Sequence, residues 1–102
     1  MQIQFFYKQV SEKDKKFLEN YIGEKTDRIK TLISEKDFEV ARLEVRAEKF
    51  AKKEAFKLEL SLALPERNFI SSEDDHTIAE ALDLALDKLV IQLRKYHEKL
   101  ND

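Results

Sequence analysis

Cysteine and tryptophan are absent from the 102 residues, and glycine and proline occur once each. Without thiols there is no disulfide framework, no thiolate nucleophile and no cysteine-ligated zinc. A single glycine cannot build a phosphate-cradling loop, which needs several glycines close together. So few chain breakers also predict long elements. No apolar run approaches the roughly 20 residues of a membrane helix, and the opening MQIQFFYK alternates over too few positions for a signal peptide. A soluble, cytoplasmic protein is the expectation. A strong excess of one charge is lacking too: 19 Lys and Arg stand against 21 Asp and Glu, for a formal net charge of -2. The chain as a whole therefore does not attract polyanions, and any nucleic-acid surface has to be a local patch.

What is present is a clear switching of hydrophobic period. The hydrophobic share of 42% is enough for one core, so a single domain over 1–102 is expected. Ile3 and Phe5, with Gln2 and Gln4 on the other parity, form a short first strand. Ser11 followed by Asp14 starts a helix, in which Leu18, Tyr21, Ile22, Ile29, Leu32 and Ile33 keep to one side through about residue 33. Gly23 inside it costs about 1 kcal/mol relative to Ala. After a polar break over Ser34 to Asp37 the period becomes two. Ala41, Leu43, Val45 and Ala47 then alternate with Arg42, Glu44, Arg46 and Glu48. A turn over Ala51 to Glu54 leads to a second such strand, Phe56 to Leu64, which Pro65 stops. Asn68 to Ser72 is a weaker fourth strand.

Thr77 with Glu80 forms a capping box for the last helix, whose stripe is Leu82, Leu86, Leu89, Leu93, Tyr96 and Leu100. A second line, Leu84, Lys88, Ile91 and Lys95, follows helical spacing in another direction and holds two ammonium groups in register. The order is β-α-β-β-β-α, an α+β fold with a four-stranded mixed sheet. The charged parity of the central strands is costly to bury, so both helices are expected on the opposite face. Strands one and two should be parallel, joined by a right-handed crossover, and the rest antiparallel hairpins.

Ala81-Leu82-Asp83, then Asp87-Lys88-Leu89, then Gln92-Leu93, closing on Arg94-Lys95 and Lys99, resembles the ribosome hibernation-promoting factor and ribosome-associated inhibitor family, also called sigma-factor modulation proteins. Leu18, Tyr21-Ile22, Lys25, Arg28 and Ile29 in the first helix are similar to the same family's L, F-V, K, K, L series. The resemblance covers nearly the whole chain. It implies a fold like that of double-stranded-RNA-binding domains. It also implies a non-enzymatic inhibitor that silences the ribosome in stationary phase or stress by occupying the mRNA and tRNA region of the small subunit. Its partners would be that subunit and its ribosomal RNA. Carried over by position, the RNA contacts would be Lys25, Arg28, Lys88 and Lys95, with Arg94 and Lys99 secondary. The chain would be the short type, lacking a C-terminal dimerisation domain. Ile91 stands where the family carries an Arg, and Glu73, Asp74 and Asp75 would repel phosphate if they lie on the same edge.

Blander readings stand beside these. Exposed lysines are ordinary on any helix, and the cluster Lys49, Lys52 and Lys53 at the hairpin tip is either turn solvation or a secondary RNA contact. The charged strand row is most simply a cross-strand ladder on a wet face. His76 with the adjacent Glu73, Asp74 and Asp75 lacks a distant second ligand set, so no metal or other cofactor is expected. His97 has no nucleophile partner, so no catalytic residue is assigned. Leu84 and Ile91 are either covered by the neighbouring helix or free to touch a partner. The alternative function is therefore a protein-interaction module that binds no RNA and forms a weak homodimer through an exposed strand edge or the Leu84/Ile91 patch.

Overall fold

The computed structural model describes residues 1–101. Its elements are β1 (Gln2–Lys8), α1 (Glu12–Lys25), α2 (Asp27–Lys30), α3 (Glu35–Val40), β2 (Arg42–Lys49), β3 (Phe56–Ala63), β4 (Asn68–Asp75) and α4 (Ile78–Asn101). The period-two segments form one four-stranded sheet in the order β1-β2-β3-β4. β1 runs parallel to β2, and the other neighbours are antiparallel. The register explains why alternation decides the faces: Ile3, Leu43, Leu62 and Phe69 share one row, and Phe5, Val45, Leu60 and Ser71 share the next. A slip of one residue would turn every one of these side chains toward water.

That apolar face carries the helices. Leu43, Val45, Leu58, Leu60 and Leu62 are fully buried, and they meet Leu18 and Ile22 of α1, Ile29 of α2 and Leu82, Leu86, Leu89 and Leu93 of α4. Each fully buried Leu or Ile contributes roughly 1.5–3 kcal/mol relative to exposure. The α4 stripe thus buries as its spacing requires. Tyr96 packs at its margin, and the Leu100 side chain lies outside the described residues. Ser71, buried among apolar neighbours, donates its hydroxyl to the Ala85 carbonyl at 2.7 Å and so ties β4 to α4.

The expected single first helix is divided. α1 ends at Lys25, Thr26 keeps right-handed helical angles, and α2 adds one turn before Thr31. The Thr26 hydroxyl bonds back to the Gly23 carbonyl at 3.2 Å, and the Ile29 amide bonds to the Thr26 carbonyl three residues earlier. A β-branched residue bonding its own helix and a tightened three-residue turn break the α-helical ladder. The polar break over Ser34 to Asp37 is itself a helix start. The Ser34 hydroxyl accepts the Asp37 amide at 3.1 Å and caps the short α3. The same signal, Ser11 with Asp14, starts α1 with an identical bond length.

β4 runs on to Asp75 rather than stopping at Ser72, so Glu73 to Asp75 lie in a strand opposite Leu58, Lys57 and Phe56. Pairing to β3 outweighs the weak strand propensity of three acidic residues.

The open face also departs from the simple ladder. Arg46 and Glu59 are register partners, yet Arg46 pairs with Glu44 of its own strand at 2.9 Å and lies 4.3 Å from the Phe6 ring. Glu48 pairs with Lys8 of β1 at 3.8 Å.

Candidate nucleic-acid interface

α4 is the ruler for this face, because 24 residues at 1.5 Å each span about 36 Å. Capping fixes its start: the Thr77 hydroxyl accepts the Glu80 amide at 3.1 Å and lies 3.2 Å from the Glu80 carboxylate. With Leu82, Leu86, Leu89 and Leu93 facing the sheet, Leu84 and Ile91 are forced outward, where they are 41% and 51% exposed. The neighbouring helix does not cover them. They form an outer apolar ridge, and the polar residues of α4 fall on its two flanks.

On the flank toward α1 and α2, acids meet the candidates of the first helical segment. The Tyr21 hydroxyl lies 3.0 and 3.1 Å from the two Asp83 carboxylate oxygens. Lys25 stands 4.9 Å above the Tyr21 ring, and Arg28 pairs with Asp87 at 2.9 Å. On the flank toward β4, Lys88 pairs with Glu73 at 2.5 Å and reaches the Ser72 carbonyl at 3.4 Å. One turn on, Gln92 donates to the Ile70 carbonyl at 2.8 Å. These two α4 side chains bond carbonyls of β4, the last strand of the sheet. Lys95 and Lys99 follow along the same flank. Both are exposed, and neither joins an ion pair among the described residues.

The four primary candidates therefore do not make one strip. Lys25 and Arg28 lie across the ridge from Lys88 and Lys95, and two of the four are held by carboxylates. Sequence spacing could not show this, because the acids arrive from other elements: Asp87 against α2, and Glu73 from a strand end that reads as loop. Arg94 is exposed on α4 one position from Lys95. Lys49, Lys52 and Lys53 are remote from Lys95: Lys49 shares an open groove with Phe17, His76, Thr77 and Ile78 at the start of α4. The 18 residues from Thr77 to Lys95 put about 27 Å between the two regions. Lys53 lies 4.5 Å from the Phe50 ring, so one of the tip's cations is partly occupied.

One cation was missed from the sequence. Arg67 leaves the two-residue turn Pro65–Glu66, which the Leu64 amide closes onto the Arg67 carbonyl at 2.9 Å. Its guanidinium sits 5.3 Å from the Phe69 ring and 5.4 Å from the Tyr96 ring. Strand parity carries the signal that could have found it. Arg67 is two residues before the inward-facing Phe69, so it points to the helix side.

Burial first, and then the Glu19 carboxylate at 2.6 Å, push the Tyr7 phenol pKa upward. No helix among the described residues is long and apolar enough to cross a membrane. Among those residues no three His, Asp or Glu side chains group as a metal site.

A mixed sheet covered on one face by helices, with cations on both flanks of an exposed apolar ridge, defines a small α+β domain. The family model described as sigma 54 modulation protein / S30EA ribosomal protein matches residues 3–101, and the chain belongs to that family. The resemblance read from the two helix motifs is to the same family. Among solved structures, the N-terminal domain of Thermus thermophilus Protein Y is similar at 20% identity with a TM-score of 0.77, covering 94% of this chain and 99% of that one. A ribosomal subunit interface protein from Coxiella burnetii is similar at 19% identity with a TM-score of 0.66, covering 94% of this chain and 97% of the other. Both likenesses establish the fold, including the four-stranded mixed sheet. No curated protein matches the chain significantly.

Proposed function

We propose that this chain is a cytoplasmic, single-domain ribosome-binding inhibitor of translation that occupies the mRNA and tRNA region of the small subunit in stationary phase or stress. The observation that carries the reading is family membership over residues 3–101. The similar Coxiella burnetii structure is that of a ribosomal subunit interface protein, which supports the reading further. The family is one of ribosomal and modulation proteins by its description, and the reading involves binding without a chemical step. Lys25, Arg28, Lys88 and Lys95 are its proposed contacts to RNA phosphates, with Arg94, Lys99 and the hairpin-tip lysines outlying. Contacts of this kind read backbone and shape rather than sequence.

Sedimentation of a stationary-phase lysate through sucrose at low salt tests the proposal. The protein should travel with ribosomal particles, and Lys88→Glu with Lys95→Glu should leave it at the top while its circular dichroism is unchanged. Continued co-sedimentation of that double variant would remove both lysines from the interface. A protein found at the top in wild-type form as well would favour the second reading, a weak homodimer or other protein contact through the exposed ridge of Leu84 and Ile91.

A further inference from the structure

The cations of the helical face exist in two electrostatic conditions. Arg28 and Lys88 already have carboxylate partners. At the far end of α4, Arg67, Lys95 and Lys99 join no ion pair among the described residues. They converge with Gln92, Tyr96 and Glu98 around an open cavity of about 320 Å³. Three cations there face one carboxylate.

Arg67 is also the most restrained of them. The Phe69 and Tyr96 rings meet edge to face at 5.4 Å and 65°, and the guanidinium lies against both. Cation–π contact with two rings restrains the side chain while leaving its N–H groups without an acid partner among the described residues, so less side-chain entropy is lost on binding. A planar fork of this kind matches the paired oxygens of a phosphate, which an ammonium group cannot do.

We propose that Arg67, Lys95 and Lys99 form a phosphate-binding pocket for an RNA backbone, and that this pocket is the anchoring end of the interface. The inference rests on the ribosome-binding reading only for the identity of the RNA. A polymer fits better than a lone anion. The cations of this flank run from Lys88 to Lys99, about 16 Å along the helix, which exceeds the reach of one phosphate group. Lys88, released from Glu73, extends the same track.

Binding of the intact chain to purified small ribosomal subunits and to a short RNA hairpin, each titrated over a range of KCl concentrations, provides the test. Arg67→Gln should weaken binding roughly tenfold and lower the slope of log affinity against log salt by about one. Arg67→Lys should recover the slope but not the full affinity, since it restores charge without the fork. Lys95→Gln leaves the two rings untouched and should lower the slope by a similar amount, which decides the matter if Arg67→Gln loosens the fold. Unchanged binding of Arg67→Gln and Lys95→Gln to both probes would overturn the pocket while leaving ribosome binding intact. Arg67-dependent binding to the hairpin but no binding to subunits would uphold the pocket and remove the ribosomal reading. Failure of the wild-type protein to bind either would remove both. Competition by inorganic phosphate alone, without hairpin binding, would reassign the pocket to a free anion.

Discussion

If RNA phosphates are the ligands of Lys88 and Arg28, Glu73 and Asp87 compete with them. Each cation has to leave its carboxylate before it can meet a phosphate, and the carboxylate then repels the incoming anion. Replacing both acids by their amides, Glu73→Gln with Asp87→Asn, should therefore strengthen RNA binding while weakening the fold. The magnitude follows from exposure. The side chains are 43% and 55% accessible in the Arg28–Asp87 pair and 55% and 25% in the Lys88–Glu73 pair. Exposed pairs are each worth about 0.2–1 kcal/mol. Two of them give about 0.4–2 kcal/mol, or an affinity gain of about two- to thirtyfold. Unfolding should become easier by a comparable amount, lowering the thermal midpoint by a few degrees. The assay is binding to small subunits at fixed salt beside a thermal melt. The comparison protein is Glu39→Gln with Glu59→Gln, which makes the same change in net charge at acids without an ion pair among the described residues. Equal gains in the two proteins would mean that only bulk charge had changed, and the competition argument would fail.

Two further expectations concern the fold. Gly23 lies in α1 with nothing within 4 Å of where a Cβ would sit, so Gly23→Ala should stabilise the protein by about 0.5–1 kcal/mol in urea unfolding; a loss of stability would show that the break near Thr26 depends on glycine. Tyr7 is raised above its ordinary value of 10.0 by burial and by Glu19. Below pH 10 both folded and unfolded chains keep the phenol proton. Above it the unfolded chain loses the proton first, so stability should fall with rising pH. Tyr7→Phe should show a shallower alkaline decline, and identical declines would discount the phenol.

Much of the fold was legible because period and capping are local. Leu43, Val45, Leu58, Leu60 and Leu62 alternate, and a half-covered sheet leaves alternation no other outcome. Leu82, Leu86, Leu89 and Leu93 mark the sheet-facing side of α4 for the same kind of reason. What failed was also local but weaker. Ser34 with Asp37 carried the same start signal as Ser11 with Asp14, yet α3 has only six residues and no stripe to announce it. The extension of β4 through Glu73 to Asp75 comes from pairing with β3, which no propensity of those residues supplies.

The candidate interface divides along the same line. Sequence spacing determined that Lys88 and Lys95 share one side of α4 and that Leu84 and Ile91 lie off its main apolar stripe, because helix geometry fixes directions within one element, but whether the neighbouring helix covers Leu84 and Ile91 was settled by the packing. Only the tertiary structure decided which cations have partners. Asp87 meets Arg28, Glu73 meets Lys88, and Arg67 lies 5.4 Å from the Tyr96 ring, each pair brought together from separate elements of the chain. Such pairings depend on how elements are placed against one another, and a one-dimensional pattern carries the faces of each element but not the distances between them.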